Sequence, residues 1–174
     1  LTLAEYVAAL EASVLPHFDF IGFDACLQGM LEQAWDVRAL ADVLVASQET
    51  EPGDGWDYSA LLGRLATYPS MTAIDLGNAV VSSYGAFYGA QQGITLSATR
   101  IGALGALGEA IEAFAATAID AGVRSQLVSA AQRSTELHGG DEDYRDLGDF
   151  MREIANLLPG SATATKAQLV LDAL

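Results

Sequence analysis

The chain has one cysteine, two histidines and only eight lysines and arginines among 174 residues. A lone cysteine excludes an internal disulfide and says nothing firm about compartment. With two histidines far from it in sequence, no zinc-ligand spacing exists either. Against the few bases stand 23 acidic residues, for a net charge of -15. Such a field repels phosphate backbones, which argues against nucleic acid and favours cations or cationic peptides as partners. No P-loop and no GxGxxG is present, so the common phosphate cradles are missing. No run resembles a membrane span: the most apolar tract, Ile101 to Ala121, is broken by Glu109, Glu112 and Asp120, charges that belong to an amphipathic helix. The chain begins at Leu1 without the basic-then-apolar layout of a signal peptide, as expected at a processing site or the edge of an excised piece.

What is present is a chain that is 51% hydrophobic and long enough to bury a core. The pattern predicts one domain over 1–174, with a βαβ segment in 1–56 and a helix-rich remainder in 57–174. Leu3, Val7 and Leu10 form the stripe of a first helix capped by Thr2. Phe18 to Ala25 is apolar on both alternating faces, the signature of a strand covered on both sides. A helix from Leu27 to Ala41 and a strand, Asp42 to Ser47, complete the βαβ unit. Helices are predicted over Tyr58 to Thr67, Met71 to Gly89, Leu104 to Ala121, Val123 to Thr135, Leu147 to Leu158 and Ala162 to Leu174, with a third strand at Ile94 to Ala98. Two or three mostly parallel strands leave an edge that needs covering, so the chain resembles the second part of a larger α/β sheet.

The chemistry concentrates around "DFIGFDACLQGMLE". Cys26 falls after the first predicted strand and at the predicted start of a helix, where α/β sheets place their sites and where a helix N-terminus favours a thiolate. A buried structural thiol is the competing reading. Asp24, on the same side of a strand as Cys26, either caps the following helix or lines a pocket for a positive group. The loop Glu49 to Asp57 ends the second strand on the same sheet edge and carries Glu49, Glu51, Asp54 and Asp57. It is an acidic turn, or a pocket wall for a basic side chain, or a set of oxygen ligands for Ca²⁺ without EF-hand spacing. A cysteine nucleophile needs an imidazole base. His17 lies at the far end of the strand, about 20 Å from Cys26, and His138 lies in the loop "HGGDED". That loop echoes a diguanylate cyclase signature, but no flanking hairpin strands are expected.

"FDFIGFDACLQGMLEQAWDVR" followed by "DVLVASQETEPGDGW" resembles the clostripain family of cysteine peptidases, in the caspase-like clan. "ITLSATRIGALGALGEAIEAFA" and "YRDLGDFMREIANLL" extend the likeness over most of the chain, with Gln28 standing where a methionine is expected. The resemblance implies a caspase-like α/β/α sandwich, here its C-terminal, large-chain portion. It implies that Cys26 is the nucleophile, that Asp24 selects Arg or Lys in the S1 pocket, and that Asp54 is a second candidate there. It implies a catalytic histidine in a His-Gly pair upstream, on a segment or small chain of the same precursor, so that this chain alone is inactive. Secretion or a cell-envelope location, a peptide substrate with a basic P1 residue, and Ca²⁺ as a candidate activator follow from the same likeness. The competing expectations are a catalytically inactive caspase-like scaffold that binds partners, and a helical regulatory domain with a structural Cys26.

Overall fold

The computed structural model describes residues 2–91, 93–137 and 144–174. The chain divides into two compact units, Leu1–Gly102 and Ala103–Leu174.

The first unit is mixed α/β. Its sheet has β1 (Phe18–Gly22) parallel to β2 (Ala41–Ala46), with β3 (Ser97–Arg100) antiparallel on the other edge of β2. β2 is central because only Asp42 in "ADVLVA" is exposed, the rest being small or β-branched side chains that suit a strand buried on both faces. Helices α1 (Leu3–Glu11) and α2 (Leu31–Val37) flank β1 in sequence, and α3 (Tyr58–Thr67) and α4 (Ala73–Tyr88) follow β2. Thr2 closes a capping box with Glu5 at the start of α1. α4 lies on the sheet through Gly77, where a Cβ would sit 3.0 Å from Ala98 and 3.2 Å from Val45, so only glycine lets the helix approach this far. Val43, Val45, Trp56, Leu61, Val80 and Tyr84 form the core beneath it.

Three expectations are corrected here. The first strand ends at Gly22 rather than Ala25. Phe23 still donates to the Val45 carbonyl at 2.9 Å, but its ring packs on Tyr6 of α1, 5.1 Å between centroids, and the chain then turns away. The helix expected from Leu27 starts only at Leu31, because Leu27 has φ +61°, a left-handed conformation that no α-helix contains. The third strand shifts from Ile94–Ala98 to Ser97–Arg100 and is antiparallel; Ile94 and Leu96 instead pack against the core.

The second unit is helical: α5 (Leu104–Asp120), α6 (Arg124–Arg133), α7 (Leu147–Leu157) and α8 (Ala162–Ala173). α5 and α7 both pack on α8, burying Leu107, Phe114, Met151, Ile154, Ala167 and Val170. The helical stretch Ile101–Asp120 is long and apolar enough to cross a membrane by length and composition. α5 meets that criterion as a helix with a packed face against α8. The segment 138–143, with His138, lies outside the described residues. Contrary to expectation, strands do flank it: β4 (Glu136–Leu137) pairs antiparallel with β5 (Tyr144–Arg145). Burial of Leu137 and the ion pair of Arg145 with Glu136, 3.2 Å, hold this short ladder.

Candidate active site

Because β1 and β2 run parallel, the loops that leave their carboxyl ends lie side by side. Cys26 sits on the first of these loops, exposed, on the turn that Leu27 completes. The second loop grips this turn. Leu27 donates to the Glu49 carbonyl at 3.2 Å, and Gly29 to the Ser47 carbonyl at 2.7 Å. The second loop is pinned in turn by Thr95, whose Oγ1 accepts from the Gln48 amide at 3.0 Å and the Glu49 amide at 3.2 Å. Thr95 also shares a 3.1 Å hydrogen bond with the buried Ser47 hydroxyl. The Glu51 amide then donates to Cys26 Sγ at 3.2 Å, an N–H placed to meet negative charge on sulfur. Cys26 is not at a helix N-terminus, since four residues separate it from α2, and the dipole argument lapses over that distance.

Asp24 does not cap α2: Met30 is its N-cap and offers no side-chain bond. The Asp24 carboxylate instead takes the Trp56 amide at 3.2 Å and the Tyr58 hydroxyl at 3.0 Å, both on Oδ2. Gly55, at φ +66°, passes so close that a Cβ would stand 2.5 Å from that oxygen, so glycine is required twice over. Trp56 is 7% exposed and donates its indole N–H to Glu51 Oε2 at 3.0 Å. Burial first, and then the neighbouring Asp24 carboxyl, push Glu51 up to about 8. Asp24 and Cys26 are thus brought together by Glu51, which touches both, and not by the pleat of a strand. No ion pair with Lys, Arg or His neutralises Asp24 or Glu51 among the described residues. Asp54 occupies the exposed tip of the turn closed by the Gly55 amide on the Pro52 carbonyl, 3.0 Å, and makes no hydrogen bond among the described residues.

Among the described residues no histidine stands at the site. His17 is held by Asp42 at 3.1 Å at the start of β2, the opposite end of the sheet from Cys26. His138 lies outside the described residues. No three His, Cys, Asp or Glu side chains converge to hold a metal among the described residues. Of the loop carboxylates that suggested Ca²⁺, Asp57 caps α3 through the Ala60 amide at 3.0 Å and Glu51 is bound to Trp56. A calcium cage asks for roughly 6–8 converging oxygens.

A family model described as the clostripain family matches residues 1–173. The chain belongs to the clostripain family. It is a cysteine-peptidase chain with the mixed α/β, caspase-like fold of that family. Solved structures similar to this clostripain-family chain include a B. fragilis cysteine protease, with TM-score 0.64 and 18% identity over 99% of this chain and 71% of that one. An inactive zymogen protease from Parabacteroides distasonis matches with TM-score 0.73 and 20% identity over 98% of this chain and 45% of that one. A secreted cysteine protease from Bacteroides thetaiotaomicron, in complex with an irreversible peptide inhibitor, matches with TM-score 0.68 and 25% identity over 97% of this chain and 46% of that one. The chain therefore spans less than half the length of the last two. A comparison with curated protein sequences finds no match.

Sequence reasoning singled out Cys26, Asp24 and Asp54 but missed the residues that build their surroundings in this clostripain-family chain. Trp56 and Tyr58 were within reach, as donors beside an acidic run in "EPGDGWDY". Thr95 and Tyr84 carried no signal, because each arrives from an element far away in sequence.

Proposed function

We propose that this chain supplies the nucleophile and the specificity pocket of an endopeptidase that cleaves after arginine or lysine. The observation that carries the reading is one continuous contact set. An exposed thiol receives the Glu51 amide, and beside it an Asp24 carboxylate, without a basic partner among the described residues, is held by Trp56 and Tyr58. A carboxylate in that position attracts a cationic side chain and thereby sets the scissile carbonyl against the sulfur. The Cys26 thiolate adds to the carbonyl carbon, the C–N bond breaks, and the amine leaves with a proton from an imidazolium. Water then hydrolyses the thioester. The imidazole comes from a His-Gly pair on a segment outside these residues, as the likeness to the family implies; His17 is committed to Asp42. Without that segment the chain is inactive. Asp54, at the exposed turn tip, is a second contact for the substrate cation. Secretion fits the likeness to a secreted relative.

The test is hydrolysis of arginyl, lysyl and norleucyl fluorogenic peptides by the full-length gene product. Cleavage restricted to the basic pair, and lost in Cys26→Ala, supports the reading. Inert full-length protein, or activity that survives Cys26→Ala, overturns it and favours a binding scaffold.

A further inference from the structure

Two buried polar atoms near Asp24 have no hydrogen-bond partner among the described residues: Glu51 Oε1 and the hydroxyl of Tyr84. Tyr84 is 3% exposed, in the middle of α4, and its hydroxyl lies in the field of Glu51, Tyr88, Asp24 and Cys26. A buried polar atom without a partner is uncommon and costs on the order of 1–3 kcal/mol. Two of them next to a carboxylate without a described cation leave hydrogen-bonding capacity that no described group fills.

We propose that Glu51, backed by the Tyr84 hydroxyl, is a further specificity-determining residue, taking the cationic end of the P1 side chain jointly with Asp24. The inference rests on the endopeptidase reading above and deepens it. A guanidinium or ammonium group supplies N–H donors to several acceptors at once. Asp24 Oδ2 already serves Trp56 and Tyr58, whereas Glu51 Oε1 serves nothing. The groups facing Glu51 are Asp24 and Cys26 on the loop after β1, the neutral Trp56 indole on its own loop, Tyr58 on α3, and Tyr84 and Tyr88 on α4. No described base stands among them, so an incoming cation is the first positive charge the cluster meets.

The proton balance follows. In the empty site Glu51 keeps its proton, as burial and the neighbouring Asp24 carboxyl require. When the cation enters, Glu51 binds best as the carboxylate, so its proton is released to solvent. Binding therefore strengthens as pH rises towards about 8 and levels off above it. A merely structural glutamate gives no such linkage.

The experiment uses full-length Cys26→Ala protein and an acetylated peptide with arginine at P1, with citrulline as its neutral isostere. Calorimetric titration at pH 7 in two buffers of different ionisation enthalpy counts protons. The expected result is release of about 0.9 proton with the arginyl peptide and none with the citrulline peptide. The same titration with Glu51→Gln added is expected to show release abolished and arginyl affinity reduced. In the active protein, the arginine-over-citrulline ratio of kcat/KM should rise about tenfold from pH 7 to 9 and be flat in Glu51→Gln. Taking the ratio cancels ionisation of the nucleophile and base. Arginyl binding without proton release, or equal release in Glu51→Gln, overturns this inference while leaving the endopeptidase reading intact. No arginyl binding at all overturns both.

Discussion

Two acidic clusters in this chain have opposite fates. In the helical unit, Asp146 and Asp149 at the start of α7 surround Arg152, which reaches Asp149 at 2.9 Å and Asp146 at 3.8 Å. Asp149 also accepts from the Thr135 hydroxyl, and that bond first and Arg152 second hold its carboxyl below the usual range. In the α/β unit, Asp24 and Glu51 lie together without a base among the described residues, and Glu51 is pushed up to about 8. The difference teaches how to sort the charges of a chain at net -15. Acids that serve the fold are supplied with a cation by the fold. An acid whose pKa is raised with no described cation beside it, as at Glu51, marks the site proposed above.

The contrast breaks most visibly at the site. Cys26→Ala should lower peptide hydrolysis by the full-length protein at least a thousandfold, on the order seen when a nucleophile is deleted, without moving the melting temperature. Asp24→Asn keeps the shape and one acceptor oxygen but removes the charge. It should reduce kcat/KM for arginyl peptides about 100-fold, about 3 kcal/mol, while a neutral P1 peptide loses far less. Equal losses on both peptides would mean that Asp24 serves structure, as Asp149 does. Gly55→Ala should cost about 1–2 kcal/mol of stability for its left-handed backbone alone. It should also move Asp24, so arginyl KM rises in protein that still folds.

Smaller effects separate the clusters by the sign of their pH response. Glu51 has a raised pKa in the folded state, so between about 4.5 and about 8 the unfolded chain loses its proton first and stability falls as pH rises. Glu51→Gln, neutral throughout, should therefore melt higher than the wild type at pH 8 and level with it at pH 4. Asp149 has the opposite sign: its lowered pKa stabilises the fold above its unfolded value, and that contribution fades as pH drops through the folded one. Asp149→Asn should give a small fall in melting temperature at pH 7, vanishing in acid, with cleavage unchanged. A change in cleavage would erase the distinction between the two clusters.

Much of the architecture was legible because it rests on local rules. The Thr2 cap of α1, the buried run of β2 and the helical periods of α3, α7 and α8 depend on neighbours within a turn or two of chain. The failures cluster where distant segments meet. The apolar pattern runs on past Gly22 into Phe23, which satisfies its ring on α1 rather than in a strand. The helical pattern begins at Leu27, yet the loop after β2 draws that residue into a left-handed turn. Both departures fall within five residues of Cys26, where function competes with local preference.

By itself the sequence determined the inventory: one thiol, a carboxylate before it, an acidic glycine-rich loop, and the family to which such a combination belongs. These follow from composition and order alone. Only the tertiary structure decided that Glu51 stands against both Asp24 and the thiol, that Trp56 and Tyr58 hold Asp24 in place, and that Tyr84 comes up unpartnered behind them. The physical reason is that a carboxyl's charge depends on the burial and the charges around it, and those are set by elements tens of residues apart folding onto one sheet edge.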